Sequence, residues 1–267
     1  MDIAGVLLLL LAGCLAGFLA GFFGVGGGII LVPMLLFYFQ SIGVSSLVAT
    51  HLTFGTSLLI VISASLSSAY QYSKNKHVLW KAVLFIGVAS VVGALLGAIV
   101  ASDLQGKSLQ RIFAAVVIVA ALRLLAESKK PKADPSPNVS PVGLSAIGLI
   151  VGLVSSLAGV GGGVFSIPMM YYFMHFPLKK ALGTSSATIV ITAFAAAAGY
   201  VVQGWGDPLL PSFTLGYVDY LHALPVIAGT LPFAGLGASA AHKTKGDLLR
   251  KIFATFLLVM AFKMLFF

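Results

Sequence analysis

The chain contains the same glycine-rich segment twice, each time inside a strongly apolar stretch. Gly24–Gly28 and Gly159–Gly163 both read Gly-Val-Gly-Gly-Gly, and Pro33 and Pro168 follow at the same distance from the last glycine. Such bare backbone is tolerated at membrane depth only where protein buries it or where it lines a cavity. Matching glycine interruptions in two halves of an apolar chain are typical of the binding site of a transporter.

Composition indicates an integral membrane protein. The 267 residues are 59% hydrophobic and 9% charged, with a mean hydropathy of +1.07. Soluble domains carry about 25% charged residues. The net charge of +9 lies in short loops between apolar stretches, which disfavours a nucleic-acid partner. The single cysteine, Cys14, excludes an internal disulfide and a thiolate metal cluster, and the sequence predicts no metal site and no cofactor.

Apolar stretches follow one another in the same order in both halves. Each half has two pieces flanking the glycines and then three longer stretches, and about 20 residues suffice to cross a bilayer as a helix. The first half contains Ile3–Phe23, Ile29–Phe39, Leu47–Tyr70, Val78–Ala101 and Leu109–Leu125, and the second contains Val142–Ala158, Val164–Met174, Ala181–Val202, Tyr217–Ala241 and Leu248–Phe266. The order predicts an all-α membrane protein of ten helical segments, in which residues 1–126 and 141–267 are repeats joined by a polar linker at 127–140. Ala49-Thr50 is paired with Gly183-Thr184 in this comparison.

The distribution of positive charge predicts that the two repeats have inverted topology. An odd number of crossings per half would place thirteen of the 16 Lys and Arg residues on one side of the membrane, and only Lys107, Arg111 and Lys263 on the other. Cytoplasmic loops carry such an excess of Lys and Arg. We therefore expect a multi-pass protein of the cytoplasmic membrane with a cytoplasmic linker and both termini outside. No positive charge precedes the first apolar stretch, so we expect it to be a span and not a cleaved signal.

The glycine interruptions suit an anion. A helix that restarts after glycine presents unpaired N–H groups and about half a positive charge at its first turn. Two such ends aimed at one place near the midplane would bind a compact oxyanion or carboxylate. The spacing fits neither a P-loop nor a dinucleotide fold. Close helix packing is the alternative explanation for the glycines.

Polar residues in the long stretches are candidates for the rest of the site. Hydroxyl groups and an imidazole could complete the hydrogen-bond shell of an anion, although capping and interhelical bonding are alternative roles. The predicted substrate-binding residues are Gly26, Gly27, Gly28, Thr50, His51, Thr53, Gly161, Gly162, Gly163, Thr184, Ser185 and Ser186. The acids all lie in loops or near span ends, so any proton coupling is assigned to His51 or to the substrate itself.

The chain resembles the sulfite exporter TauE/SafE family. The resemblance rests on the duplicated segments Gly24–Pro33 and Gly159–Pro168, on the openings Ala49-Thr50 and Gly183–Ser186, and on Arg111–Phe113 with its counterpart Lys251–Phe253. It covers essentially the whole chain. It implies export of sulfite or a small organosulfonate across the cytoplasmic membrane.

The sequence therefore favours a secondary transporter whose partners are a small anion and membrane lipid. An anion channel would share the same site chemistry. An intramembrane enzyme is a third class, which one histidine among hydroxyl groups supports weakly, because such an enzyme needs a nucleophile with its base or a metal. The residues leave open whether the protein forms a homodimer.

Overall fold

The computed structural model describes residues 3–126, 140–244 and residue 255. Long helices dominate this part of the chain, with one short hairpin. The helices are α1 (Ile3–Phe23), α2 (Gly28–Ser41), α3 (Ser46–Lys74), α4 (Trp80–Asp103), α5 (Gly106–Ala126), α6 (Pro141–Ala158), α7 (Gly163–Phe173), α8 (Leu178–Gln203) and α9 (Tyr220–Lys243), and the antiparallel strands are β1 (Thr214–Leu215) and β2 (Val218–Asp219). The tenth predicted segment, Leu248–Phe266, and most of the linker lie outside the described residues.

The predicted fold class is confirmed. Six of the described helices, namely α1, α3, α4, α6, α8 and α9, are long and apolar enough to cross a membrane. Large apolar side chains such as Leu11, Val88 and Leu224 are exposed on their outer faces, where lipid would cover them. The protein is therefore an all-α, multi-pass membrane protein.

The two halves of the chain are interlocked. Helix α1 packs along α9 of the other half, and α6 packs along α4. Glycines bring the backbones into direct contact in both pairs, as small residues do between membrane helices. Gly13, Gly17 and Gly21 lie against Val226, Thr230 and Ala234 in that order, and Gly148 and Gly152 lie against Ile86 and Ser90. The ascending order shows that the helices of each pair run parallel.

Helices α3 and α8 form the centre of the described structure and are the most buried of its six candidate spans. Gly55, near the start of α3, lies against Tyr200, near the end of α8, and Gly183, near the start of α8, lies against Tyr72, near the end of α3. The two central helices therefore run antiparallel. The Tyr72 hydroxyl donates to the Gly21 carbonyl over 3.0 Å, and the Tyr200 hydroxyl donates to the Ser156 carbonyl over 2.8 Å, so each central helix is anchored to the first helix of its own half.

Candidate functional site

The glycine segments break the helices in the same way in both halves. Gly24 and Gly159 follow α1 and α6 with φ angles of 65° and 64°, and Gly27 and Gly162 precede α2 and α7 with φ angles of 86° and 85°. Left-handed backbone of this kind strains residues that carry a Cβ atom. The sequence prediction of interrupted helices, each restarting as a short one, is therefore confirmed in geometry.

The two glycine segments meet each other inside the protein. A methyl group on Gly28 would lie 2.5 Å from the Val160 Cα atom, and one on Gly163 would lie 2.5 Å from the Val25 Cα atom. The glycines of both segments are buried. Methyl groups on Gly26 and Gly161 would meet the side chains of Val61 and Ile189. In this conformation backbone and apolar side chains fill the crossing point, so anion binding by the glycines stays a prediction.

A second duplicated motif holds the glycine segments in place. Gly55–Ser57 in α3 and Gly183–Ser185 in α8 both read Gly-Thr-Ser. The Ser57 hydroxyl donates to the Gly159 carbonyl over 2.9 Å, and the Ser185 hydroxyl donates to the Gly24 carbonyl over 3.1 Å. Each central helix thus satisfies a carbonyl that the other half's broken helix exposes. The repeated tripeptide was the available signal, and the sequence analysis missed Ser57.

The threonines of this motif have matching roles. The Thr56 hydroxyl accepts the N–H of Asp219, the residue before α9, over 2.9 Å, and the Thr184 hydroxyl accepts the N–H of Leu79, the residue before α4, over 3.0 Å. By its contacts Thr184 therefore corresponds to Thr56. The sequence comparison had paired it with Thr50, six residues away, because both threonines follow a small residue near the start of a long apolar stretch.

The hydroxyl groups of the other predicted site residues differ in their hydrogen-bond partners. Ser186 donates to the Leu182 carbonyl of its own helix over 3.0 Å, which is a local helix bond. The Ser185 and Ser166 hydroxyls lie 2.7 Å apart. Thr53 is fully buried, and no group in the described part of the chain bonds to its hydroxyl.

Thr50 and His51 line a partly open cavity of about 710 Å³ at one end of the protein. Four helix ends surround it: the starts of α3 and α5 and the ends of α2 and α4. Its polar and charged lining residues are Gln40, Ser46, Thr50, His51, Asp103, Gln105, Lys107 and Gln110. The predicted site residues therefore lie in two places. Thr50 and His51 line the cavity, whereas the glycines, Thr184, Ser185 and Ser186 do not. Lys107, which is not among the predicted site residues, adds a positive charge to this lining.

His51 is held in one orientation inside this cavity. Its Nε2 atom lies 3.0 Å from the Ala101 carbonyl, and its ring centroid lies 5.2 Å from that of Tyr217. A carbonyl only accepts, so Nε2 carries a hydrogen. The Nδ1 atom has no partner in the described structure. Gaining a proton would therefore convert Nδ1 from an acceptor into a donor. The neighbouring Thr50 hydroxyl already accepts a hydrogen bond from the Gln110 amide over 3.0 Å.

A cluster of basic residues lies at the opposite end of the protein. Lys179 donates to the His242 carbonyl over 2.5 Å, and the rings of His77 and His242 lie 5.0 Å apart. Burial, followed by the positive potential of His242, Lys179 and Lys180, lowers the pKa of His77. No three metal-ligating side chains converge anywhere in the described ranges.

Comparison with known proteins gives one consistent result. The model of the family described as "Sulfite exporter TauE/SafE" matches residues 9–264. A probable membrane transporter protein of Haemophilus influenzae is 33% identical over 260 residues, which are 97% of this chain and 97% of that protein. Similar proteins with the same description occur in Methanocaldococcus jannaschii, at 29% identity over 97% of this chain and 94% of the relative, and in Bacillus subtilis, at 28% identity over 88% of each. No solved structure matches the chain.

Proposed function

The chain belongs to the sulfite exporter TauE/SafE family and is a membrane transporter rather than an enzyme, and on that premise we propose that it is a secondary transporter that exports a small anion, sulfite or a small organosulfonate. The observation that carries the choice of an anion is the cavity around Thr50 and His51. Its lining combines hydrogen-bond donors, one lysine and two helix N-termini with a single acid.

The cavity contains several hydrogen-bond donors and only one negatively charged group among its lining residues. Lys107 brings a full positive charge, and His51 places an imidazole in the wall of the cavity. The N-termini of α3 and α5 open at the cavity, and helix N-termini favour anions. Asp103, the one acid of the lining, opposes them. Its repulsion would weaken the binding of a dianion, which suits a carrier that must release its substrate.

We propose alternating access between this cavity and the opposite end, with the crossing of the glycine segments as the barrier. Val61 and Ile189 fill the space at that crossing, which supports a carrier that must change conformation over an open channel. The helix ends that the glycines create would bind the anion when the crossing opens. Substrate counterflow, which a channel does not show, discriminates between the two.

Inverted repeats would provide the second conformation. Support for them comes from the antiparallel direction of the equivalent helices α3 and α8 and from the paired contacts of the two Gly-Thr-Ser motifs. In this arrangement the ends that carry Lys74, Lys179 and Lys243 lie together, away from the cavity. By the positive-inside rule the cavity then opens to the outside of the cytoplasmic membrane, and the linker and the lysines face the cytoplasm.

The test is transport by purified protein in liposomes, with sulfite, sulfoacetate and acetate as separate substrates. We expect saturable uptake and counterflow of sulfite or sulfoacetate. Lys107→Gln should weaken the apparent affinity about tenfold, equivalent to about 1.4 kcal/mol. Asp103→Asn should strengthen it severalfold, because the variant removes a like charge. Lys243→Gln, at the opposite end, is the matched control. The proposal fails if the wild type moves none of the three anions, or if the two cavity variants behave like the control.

A further inference from the structure

Asp219 differs from the other acids whose placement is described. Its side chain is 1% exposed, whereas Asp103 is exposed and Asp207 is partly exposed. No lysine or arginine in the described ranges forms an ion pair with it. A buried carboxylate in a membrane protein is costly, and it usually marks an ion pathway or a proton relay. The sequence analysis placed Asp219 near a span end and gave it no role.

The partner of Asp219 is His222, one helical turn further along. The Asp219 Oδ1 atom accepts the His222 N–H over 2.9 Å, which is an ordinary helix cap at the start of α9. The second contact is different in kind, because Oδ2 lies 2.6 Å from the imidazole Nδ1 atom. The rings of Tyr38 and Phe39 cover the imidazole, with centroids 5.3 Å and 5.9 Å away. Capping explains the first contact, and the second places an imidazole, which can hold an additional proton, directly on the buried carboxylate.

The other half of the chain provides an internal control for this pair. There the residue before α4 is Leu79, whose N–H bonds to Thr184 as the Asp219 N–H bonds to Thr56. Three residues after Leu79 the chain has Ala82, where the pair has His222. The fold therefore forms the same backbone bond with Leu79 and Ala82 in the places of the acid and its imidazole. The carboxylate and its histidine are additions to one half.

The position of the pair connects the cavity with the glycine crossing. Two residues before Asp219, the ring of Tyr217 packs on His51 in the cavity. On the other side, Asp219 bonds to Thr56, whose neighbour Ser57 holds the Gly159 carbonyl. A ring contact, two hydrogen bonds and neighbouring residues of the chain thus link the cavity, Asp219 and the proposed barrier.

We propose that the Asp219–His222 pair binds the proton that accompanies the anion, an inference that rests on the proposed function. With the proton, the pair is an ion pair without net charge, and without it one negative charge remains buried beside the anion pathway. Proton and anion therefore favour each other's binding, and this coupling is reciprocal. A dianion that leaves with one proton still carries one negative charge, so an inside-negative membrane potential continues to favour its exit. His51 then serves as an anion ligand, and the coupled proton lies on His222.

Two substitutions separate proton coupling from capping. Asp219→Asn removes the charge and retains a good helix cap, and His222→Gln retains the backbone N–H that the cap uses. Asp207→Asn is the matched control, because it is the same change in the same loop. In liposomes with a pH dye inside, sulfite or sulfoacetate flux is measured together with internal acidification, and anion exchange is measured separately. Exchange carries no net proton.

We expect both variants to lose most of the proton movement that accompanies the anion, while anion exchange is retained. Asp207→Asn should keep the wild-type ratio. The proposal is overturned if Asp219→Asn and His222→Gln keep that ratio, or if they lose exchange to the same degree as coupled transport.

A second measurement needs no transported anion. With Cys14 replaced by serine and Leu47 at the cavity replaced by cysteine, an impermeant thiol reagent reports the opening of the cavity. The labelling rate should depend on pH in the wild type, and Asp219→Asn and His222→Gln should remove that dependence. If the wild type transports none of the anions tested and yet labels in this pH-dependent way, the proposed function fails and the proton site stands. If labelling in the Asp219→Asn variant keeps its pH dependence, the proton site fails.

Discussion

Two corners of the protein share a backbone design and differ in chemistry. At one, α3 meets the start of α9 through Thr56 and Asp219, and at the other, α8 meets the start of α4 through Thr184 and Leu79. The threonine bonds are alike in length. The side chains around them are unlike, since the first corner has the Asp219–His222 pair and the second has Leu79 and Ala82.

This difference separates architecture from chemistry. Contacts that occur in both halves, such as those of Ser57 and Ser185 with the glycine segments, hold the helices together. Side chains present in only one half are not required by the duplicated architecture. His51 and Lys179 illustrate the contrast. His51 in α3 contacts the Ala101 carbonyl near the end of α4, and Lys179 in α8 contacts the His242 carbonyl near the end of α9. The positions match, but the first side chain is an imidazole at a cavity and the second is a lysine beside histidines. If the shared contacts are architectural, they should have equal energies in both halves.

The largest effect is expected at the crossing of the glycine segments. Gly28→Ala and Gly163→Ala should each destabilise the protein by about 3 kcal/mol, the upper end of ordinary overpacking, because each methyl group would meet backbone that cannot move aside. Gly235→Ala in α9, which meets only the flexible Ser67 hydroxyl, should be neutral or stabilising by up to about 1 kcal/mol. Thermal unfolding in detergent measures all three. Equal midpoints for the three variants would contradict a packed crossing.

The next effect concerns the serines of the duplicated motif. Ser57→Ala and Ser185→Ala should each cost about 1–3 kcal/mol, because each leaves a buried carbonyl of a broken helix without its donor. Similar losses in the two variants would support equal roles in both halves. Ser186→Ala is the control and should cost nothing measurable, since its bond to Leu182 lies within one helix. A loss of stability in only one of the two serine variants would contradict equal roles in the two halves.

A smaller effect is expected for two hydroxyl pairs that also recur. The hydroxyls of Ser63 and Thr230 lie 3.0 Å apart between α3 and α9, and those of Ser90 and Thr192 lie 2.7 Å apart between α4 and α8. Double-mutant cycles with alanine for serine and valine for threonine should give coupling energies of about 0.6 kcal/mol for each pair. Coupling energies of opposite sign would show that the two hydroxyl pairs match in geometry but not in energy.

The smallest effect is the pH dependence contributed by His77, a loop residue of the second corner. Its pKa lies below the ordinary histidine value of 6.5, so the native protein binds fewer protons there than the unfolded chain does. Stability is then fully present above that ordinary value and falls as the pH drops through the lowered pKa. His77→Gln should flatten this part of the profile of unfolding midpoint against pH. The exposed His175 provides a control as His175→Asn, which should leave the slope unchanged.

Much of the fold could be predicted because hydrophobicity and glycine act locally. The predicted first stretch, Ile3–Phe23, coincides with α1, and the two left-handed breaks lie where the glycines are. The partners of the helices could not be predicted. Nothing in the periodicity of α1 says that its glycines pack against α9, because small residues permit close approach without naming the helix that approaches.

The pairing of equivalent residues in the two halves could not be predicted either, because no single offset between the halves fits the whole chain. Much of the site depends on that pairing. Equivalent residues are 135 positions apart at Gly24 and Gly159, 128 apart at Ser57 and Ser185, and 140 apart at Leu79 and Asp219. Helix α7 is shorter than α2, and a hairpin at 214–219 lengthens the loop before α9, so the spacing changes twice. Lys107 and Asp219 were missed for a related reason. Both lie near span ends in the sequence, where only tertiary contacts determine whether a charge lines a cavity or is buried.

The interlocking of the halves has a consequence for biosynthesis. Helix α1 receives its partner α9 only after roughly 200 further residues have been made, about 10–40 s at ordinary translation rates of about 5–20 residues per second. Throughout that interval the glycines of α1 lack the helix that covers them in the finished protein. Ribosome pausing or truncation before Tyr220 would therefore strand an orphaned first span, an exposed target for membrane quality-control proteases.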